Sequence, residues 1–280
     1  MHLCKLMTTA AAATGLTFGP ITLSSSQIHK IFSLTYCAEL SPLLPGHVIL
    51  APKRQVARLI DLNDEEFDEL CAAIRLVQND APAFNIAMKD GSAAGQPIPH
   101  CHFHVIPRTP GDLPRNDDIY EMLDAWAPKN VAASSIRLQV PEDSTRETRT
   151  PVDMANEATM YATLLDWKPT DNEQFFFGKF KIDSSQVFYA TPLTYTLVNL
   201  KPLVPGHVLV IPRRIVSNVR SLTDAENHDL WRCARHIERF IIKHYSASAA
   251  NLAIQDGVAA GQSVPHVHIH ILPRSSISSS

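Results

Sequence analysis

Two short segments of this chain each carry three histidines spaced two residues apart. They are His100, His102 and His104 in the first segment, and His266, His268 and His270 in the second. Apolar residues alternate with the histidines, and a period of two is typical of a β-strand that presents all its imidazoles on one face. A lone histidine is usually structural, but an alternating row that occurs twice indicates chemistry.

Two kinds of chemistry fit a row of imidazoles. Neutral imidazole is a common zinc ligand. However, the outer histidines of a row would lie about 13 Å apart along a straight strand, too far to bind one ion. The five cysteines are scattered, with no CxxC pair to complete a metal site. The alternative is nucleophilic catalysis, in which one imidazole attacks phosphorus and a neighbour protonates the leaving oxygen. We therefore expect no metal site.

Each histidine row belongs to a longer repeated segment. Residues 90–108 read DGSAAGQPIPHCHFHVIPR and residues 256–274 read DGVAAGQSVPHVHIHILPR, with 12 of 19 positions identical. A second pair lies upstream, PLLPGHVILAPKR from Pro42 and PLVPGHVLVIPRR from Pro202, and adds His47 and His207. The two halves share one order of motifs, so the sequence predicts a tandem repeat of one fold.

The elements between these motifs are also repeated. Asn63 with Glu66, and Thr223 with Glu226, are capping-box pairs that precede amphipathic helices. Short β-prone runs bounded by Pro-Gly or Asp-Gly turns predict antiparallel strands at FSLTY, HVILAP and FNIAMKD in the first half and at YTLVN, HVLVIP and NLAIQD in the second. The predicted fold class is α+β, present twice.

Length and composition set the domain boundaries and exclude some partners. The chain has 280 residues, 45% of them hydrophobic, and a net charge of −3 without a long basic run, which argues against a nucleic-acid partner. No apolar run approaches the roughly 20 residues of a membrane span. We divide the chain into a flexible tail (1–14), a first domain (15–125), a connector with a helix (126–170) and a second domain with a short Ser-rich tail (171–280). The scattered cysteines fit a reducing compartment, so we expect a cytoplasmic location, with a nuclear one as an alternative.

The motifs resemble those of the histidine-triad (HIT) superfamily. The resemblance lies in His-x-His-x-His followed by Pro-Arg, and preceded by Asp-Gly-x-x-Ala-Gly-Gln and an upstream Pro-Gly-His-Val. The closer likeness is to the fragile-histidine-triad branch of dinucleoside polyphosphate hydrolases, which residues 171–274 resemble almost end to end. This resemblance implies a five-stranded antiparallel sheet with helices in each half. It also implies that the two halves form an intramolecular pseudo-dimer in place of a homodimer.

The resemblance also implies a role for each histidine. The middle one, His268 or His102, would be the nucleophile and would form a covalent nucleotidyl-imidazole that water then hydrolyses. The third, His270 or His104, would face the leaving phosphate. The histidines that would orient and polarise each row are His266, His100, His207 and His47.

The residues that would bind substrate follow from the same match. Asn199 corresponds to the ribose contact of that branch and Gln255 to its phosphate contact, and in the first half these positions hold Glu39 and Lys89. Two further candidates lie in the loops that lead into the triads, namely Gln262 and Gln96. The second half therefore matches the family site more fully.

The functional prediction is a hydrolase that cleaves dinucleoside polyphosphates, such as diadenosine triphosphate, to release AMP. A phosphoramidate hydrolase and a nucleotide-binding signalling protein with incidental turnover are the alternatives. The superfamily also contains a transferase branch, in which the triad usually ends in glutamine. Both triads here end in histidine, which favours hydrolysis. We expect no tightly bound cofactor, only Mg or Mn that accompanies the polyphosphate, and a homodimer of the tandem chain is a candidate assembly.

One further prediction concerns the segment after the first triad. Residues 111–123 resemble the segment that follows the triad in that branch, and the second half has no counterpart. We predict that these residues pack across the junction between the halves. A fragment of residues 150–280 should therefore be less active and less stable than the whole chain.

Overall fold

The computed structural model describes residues 15–275 apart from 139, 142, 171 and 172. The predicted N-terminal tail (1–14) and residues 276–280 of the Ser-rich tail lie outside the described residues. Two repeats and the connector between them account for the described part of the chain.

The first repeat contains seven strands and two α-helices. In chain order they are β1 (Thr17–Phe18), β2 (Ile21–Thr22), β3 (Ile28–Ile31), β4 (Thr35–Ala38), β5 (Val48–Pro52), α1 (Asp64–Val77), β6 (Ala83–Asp90), β7 (Phe103–Arg108) and α2 (Asp118–Ala125).

The connector contributes one helix, at the position where the sequence predicts it, and the second repeat follows. The elements are α3 (Pro151–Leu164), β8 (Phe175–Phe177), β9 (Phe180–Ile182), β10 (Val187–Ala190), β11 (Thr194–Val198), β12 (Val208–Pro212), α4 (Asp224–His244), β13 (Ala249–Asp256) and β14 (Ile269–Arg274).

Ten of these strands form one continuous sheet. Their order is β10-β11-β12-β14-β13-β6-β7-β5-β4-β3, and every neighbouring pair is antiparallel. The repeats meet at β6 and β13, which pair along seven residues from Phe84 opposite Asp256 to Asp90 opposite Ala250. Both histidine segments thus lie on one sheet, close to the strands that join the repeats.

Helices α1 and α4 cover one face of this sheet, and α3 packs against the same core. Both predicted capping boxes are present, from Asn63 with Glu66 at α1 and from Thr223 with Glu226 at α4. The core between helices and sheet includes the apolar residues that alternate with the histidines, which are Cys101, Phe103, Val105, Val267, Ile269 and Ile271. The histidines are therefore left on the opposite face, which we call the histidine face.

Two predicted strands differ from those in the structure. The run FSLTY spans a turn, because β3 ends at Ile31 and the Phe32 amide donates a hydrogen bond to the Thr35 carbonyl before β4 begins. The triad strands start only after the second histidine of each row. Just before them, the Cys101 amide donates to the Val56 carbonyl and the Val267 amide to the Val216 carbonyl. This stretch therefore pairs with the chain that follows β5 or β12, outside the main ladder.

Helix α2 lies on the histidine face. Its Ile119 and Leu123 pack on Ala87 and Ile106 of the sheet. Asn116, two residues before the helix, lies against Gly261 of the second repeat. This contact confirms that the segment after the first triad packs across the junction. Within the part of the chain that the structure describes, none of the helices combines the length and the apolar character that a membrane span requires.

Candidate active site

Each triad receives its fourth histidine from a Pro-Gly-His turn. The glycines Gly46 and Gly206 both adopt φ of +79°, which favours glycine at this position. The turn directs a backbone amide at the imidazole: Leu43 donates to His47 Nδ1 at 3.0 Å and Leu203 donates to His207 Nδ1 at 3.1 Å. The ring is therefore held by its own loop before it meets the triad.

This contact determines which nitrogens carry protons in the pair of third and fourth histidines, which we call the relay. A backbone amide only donates, so Nδ1 of the fourth histidine is an acceptor and its Nε2 carries the proton. That Nε2–H points to the third histidine, at 3.0 Å from His47 to His104 Nδ1 and at 2.9 Å from His207 to His270 Nδ1. In the neutral relay, the Nε2 of His104 and of His270 therefore carries a proton that can be donated to a ligand.

The middle histidine of each triad has the opposite tautomer. The Nδ1 of His102 lies 2.7 Å from the His100 carbonyl, and that of His268 lies 2.7 Å from the His266 carbonyl. Because a carbonyl only accepts, Nδ1 carries the proton and Nε2 keeps its lone pair. An unprotonated Nε2 held in a fixed direction is what an attacking imidazole needs.

The first histidine of each triad is held at both ring nitrogens. A glycine amide donates to its Nδ1, from Gly19 to His100 at 3.0 Å and from Gly178 to His266 at 3.1 Å. Its Nε2 lies close to a backbone carbonyl, 2.8 Å from Pro52 in the first triad and 3.1 Å from Arg214 in the second. This histidine therefore orients the row through its own carbonyl, which holds the middle ring.

A phenylalanine precedes each of these glycines and contacts the middle histidine edge-on. The ring centroids lie 4.9 Å apart for Phe18 and His102, and 5.0 Å apart for Phe177 and His268. Neither phenylalanine was predicted from the sequence. The repeated Phe-Gly dipeptide at the end of the first strand of each half, β1 and β8, was the signal that could have identified them.

Burial keeps all eight imidazoles neutral around pH 7. It lowers the pKa of His102 and of His268 to about 4, and that of His47 and of His207 to about 3. The pKa values of the remaining triad histidines are also lowered, chiefly by loss of hydration, for His100, His104, His266 and His270. Neutral rings maintain the lone pair and the donor described above.

A cavity of about 670 Å³ lies beside the second triad. Its wall includes His207, His268 and His270, together with apolar side chains such as Phe177 and Leu197. The middle and third histidines thus face a space that could admit a small molecule, with one lone pair and one proton donor directed at it. We call this space the second cavity.

The first triad is covered by Trp126. Its indole ring lies 4.5 Å from the His104 ring and 5.5 Å from the His102 ring, measured between centroids. The indole N–H donates to the Ser41 carbonyl at 3.0 Å, which fixes the ring in place. The Nε2 of His102 is buried and has no hydrogen-bond partner among the described residues. The first nucleophile candidate is therefore blocked by the first side chain of the connector, directly after α2.

The predicted ribose and phosphate contacts do not divide cleanly between two sites. Asn199 and Gln255 line the second cavity, and so does Lys89, although it belongs to the first repeat. Lys89 is buried and lies 2.8 Å from Asp124, and its pKa is lowered, mainly by burial. Glu39 remains 42% exposed and lies 3.8 Å from His29. The counterparts of Asn199 and Gln255 in the first repeat therefore do not assemble a second equivalent pocket.

The two loop glutamines have a different role from the one expected. Gln96 accepts from the Gly91 amide at 3.1 Å and donates to the Ala57 carbonyl at 3.0 Å. Gln262 does the same with the Gly257 amide, at 3.3 Å, and the Ser217 carbonyl, at 3.0 Å. Both amides hold the loop that leads into the triad and do not line the second cavity. Gln96 and Gln262 are close to the triads in sequence, but their side chains bond to the backbone around the loop.

Among residues 15–275, with the four gaps noted above, no group of three or more histidine, cysteine or acidic side chains could hold a metal ion. The third and fourth histidines already bind each other, and the first is held by backbone groups. The imidazoles thus serve as hydrogen-bond partners of one another and of the backbone.

Comparison with known proteins identifies related sequences. An Arabidopsis thaliana protein, bifunctional bis(5'-adenosyl)-triphosphatase/adenylylsulfatase FHIT, is 56% identical over 100 residues, which cover 36% of this chain and 56% of that protein. An asymmetrical bis(5'-nucleosyl)-tetraphosphatase from Schizosaccharomyces pombe is 55% identical over 102 residues, covering 36% of this chain and 56% of that protein. The matches thus span about half the length of these relatives.

A solved structure resembles the chain over both repeats. The X-ray structure of a galt-like protein from Arabidopsis thaliana aligns with 86% of this chain and 74% of that one, with a TM-score of 0.52 and 14% sequence identity. At this identity the likeness concerns the fold alone. The family model of the HIT domain matches residues 32–111 and 181–277, together more than half of the chain. The chain belongs to the HIT-domain family.

Proposed function

We propose that this chain is a dinucleoside polyphosphate hydrolase that works at the second triad. The observation that carries the proposal is the second cavity, where His268 Nε2 and the His270 Nε2–H both border space for a ligand. The names of the relatives from Arabidopsis and Schizosaccharomyces support a substrate in which two nucleosides are joined by phosphates.

The proposed reaction begins with attack by His268. The Nε2 lone pair forms a bond to the α-phosphorus while the bond to the leaving phosphate oxygen breaks. His268 then carries a positive charge, which its Nδ1–H shares with the His266 carbonyl at 2.7 Å. The His270 Nε2–H donates to the leaving oxygen and stabilises its developing charge. His207 keeps the His270 ring in the tautomer that makes this possible.

Water completes the cycle by attacking the nucleotidyl-imidazole. A bond forms from the water oxygen to phosphorus, the bond from phosphorus to Nε2 breaks, and the water proton passes to solvent. AMP leaves and His268 returns to its neutral form. Mg or Mn belongs to this scheme as a companion of the polyphosphate substrate, whose charge it reduces.

The tandem arrangement has its own place in the proposal. We infer that the two repeats act as an intramolecular pair, in which the first supplies walls of the second site. Lys89, Tyr120 and Asp124 of the first repeat line the second cavity. A covalent link keeps such unequal halves together at an effective concentration in the roughly millimolar range.

The test is isotope incorporation together with adduct trapping. Hydrolysis of diadenosine triphosphate in ¹⁸O-water should place the label in AMP, because water attacks the α-phosphorus held by histidine. Mass spectrometry of protein quenched during turnover should find an AMP adduct on the peptide that contains His268. Label found only in ADP, or an adduct on another residue, would contradict this mechanism.

A further inference from the structure

The connector between the two repeats forms part of the wall of the second cavity. Its Leu138, Val140, Arg146, Arg149 and Met154 border the same space as the second triad. These residues lie outside both segments that the HIT family model matches. The connector therefore adds to the site side chains that the conserved domain does not supply.

Arg146 is the connector residue best placed towards the third and fourth histidines. One of its guanidinium nitrogens lies 3.4 Å from the Lys201 carbonyl, and its Nε is buried. Lys201 comes two residues before Leu203, whose amide holds His207. The guanidinium is thus anchored at the start of the loop that delivers the relay.

The charge of Arg146 acts on this side of the cavity. Burial is the largest cause of the low pKa values of His207 and His270, and the positive charge of Arg146 lowers both further. The same charge lowers the pKa of Tyr120 across the cavity, although burial raises that pKa overall. Arg146 therefore creates a positive potential close to the position where a leaving group would meet His270.

Two of the other three cations on the cavity wall pair with acidic residues, and the third, Lys201, is the residue whose carbonyl faces Arg146. Lys89 lies 2.8 Å from Asp124 and donates to the Leu123 carbonyl. Arg149 pairs with Glu157 and donates to the Asp153 carbonyl at 3.2 Å. The location of Arg146 beside the relay distinguishes it from both.

We propose that Arg146 binds the phosphates of the leaving nucleotide and makes the second site selective for substrates with an anionic leaving group. The inference rests on the proposed function, because it takes His268 as the nucleophile. A planar guanidinium matches phosphate oxygens with two parallel hydrogen bonds, and such charged hydrogen bonds are strong. This selectivity would come from the connector, and the triad itself would contribute little to it.

The experiment compares two substrates that share the adenylyl group but differ in the leaving group. Diadenosine triphosphate releases an anionic nucleotide, whereas adenosine 5'-phosphoramidate releases ammonia. We expect Arg146→Ala to lower kcat/KM for diadenosine triphosphate about tenfold to a hundredfold. We expect it to change the value for the phosphoramidate less than about threefold, and Arg146→Lys should lie between wild type and alanine.

Arg137→Ala is the matched control. Arg137 belongs to the same connector and its loss changes the charge equally, but its guanidinium donates to backbone carbonyls, including that of Asp124 at 2.8 Å, and it does not border the second cavity. We expect both substrates to be hydrolysed at near wild-type rates by this variant. Thermal unfolding midpoints of each variant identify any loss of fold.

The results distinguish phosphate binding by Arg146 from a structural role of this residue. Equal losses on both substrates would mean that Arg146 only supports His207 and the loop, which would overturn the inference, as would an unchanged rate on diadenosine triphosphate. If wild-type protein hydrolyses neither substrate, the proposed function fails. Arg146 is then tested by calorimetry with ADP, whose affinity for Arg146→Ala should be about tenfold lower and would be unchanged if the inference is wrong.

Discussion

The two histidine triads of this chain have nearly identical internal geometry and very different surroundings. The contact between the third and fourth histidines is 3.0 Å in the first triad and 2.9 Å in the second, and the middle ring lies 2.7 Å from a carbonyl in both. In the first triad, Trp126 covers the middle histidine, whereas in the second the same position borders a cavity. The repeated motif therefore specifies the relay, and the parts of the chain outside the repeat decide which middle histidine a ligand can reach, since His104 borders the second cavity as well.

A single segment accounts for both environments. Helix α2 follows the first triad and ends just before Trp126, which covers His102 and His104. The residues of α2 that line the second cavity are Tyr120, Leu123 and Asp124. The second triad instead borders the second cavity through His268 and His270. The segment that blocks one triad thus forms a wall of the other.

The largest expected effect comes from changing the middle histidines one at a time. We predict that His268→Ala lowers kcat for diadenosine triphosphate by about a thousandfold or more, since the attacking group is lost. His102→Ala should leave kcat within about twofold of wild type, because the first nucleophile is covered. Initial rates at saturating substrate measure both.

The reverse pattern would break the comparison. If His102→Ala removed about half of the turnover, both triads would work and Trp126 would have to move during the cycle. Far-ultraviolet circular dichroism of the two variants controls for folding, because each substitution removes a buried ring.

The next effect concerns the contribution of the first repeat to the second site. A fragment of residues 150–280 lacks α2, Lys89 and strand β6, which pairs with β13 along seven residues. We expect its kcat/KM to fall roughly tenfold or more and its unfolding midpoint to drop, since an exposed strand edge and an open cavity wall replace packed surfaces. The measurements are steady-state kinetics and thermal unfolding.

Tyr120→Phe in the full chain is the matched variant for this prediction. It removes only the Tyr120 hydroxyl from the cavity wall that Tyr120 shares with Gln255, so it tests the wall supplied by the first repeat without exposing β13. A fragment as active per site as the whole chain would show that the first repeat is a dispensable duplicate.

Trp126 can be tested directly by chemical modification. We expect diethyl pyrocarbonate to modify His268 but not His102 in wild-type protein, because His268 borders the second cavity, whereas His102 lies under the indole with its Nε2 buried. In Trp126→Ala both should react, with a loss of about 3–5 kcal/mol in the free energy of unfolding. Peptide mass spectrometry and denaturant titration provide the two readouts. Continued protection of His102 in this variant would mean that other residues cover the first triad.

The sequence predicted the repeated parts of the molecule well. The capping boxes at Asn63 and Thr223 and the apolar residues between the histidines are local signals, and the structure contains each of them. The packing of the segment after the first triad against the second repeat was also predicted, and the contact of Asn116 with Gly261 confirms it.

The parts that were not predicted depend on contacts between distant residues. Trp126 lies in a stretch without periodicity, and only the course of α2 over the sheet brings its ring to His104. The same is true of Arg146, which reaches the second cavity from a connector with no counterpart in the repeat. Gln96 and Gln262 were expected to bind substrate, but glycine amides and loop carbonyls use both of their amide groups.

The smallest expected effect is the pH dependence that the two triads share. Burial lowers the pKa of His268 to about 4, well below the ordinary histidine value of 6.5. We therefore expect kcat/KM to be constant from about pH 6 to 8 with respect to this group and to fall only as the pH approaches 4.

The same pKa shift makes stability depend on pH. Between pH 6.5 and about 4 the unfolded chain binds more protons than the folded one, so the histidines with lowered pKa values reduce the free energy of unfolding as the pH falls through 6.5 towards their folded pKa. Asp256, whose pKa burial raises to about 6, acts in the opposite direction and partly offsets the loss. Denaturant titrations at several pH values, with His268→Asn as the variant that cannot titrate, measure the contribution. A midpoint near 6.5 in kcat/KM would mean that the second triad is hydrated like an exposed histidine, and the distinction between relay and surroundings would then fail.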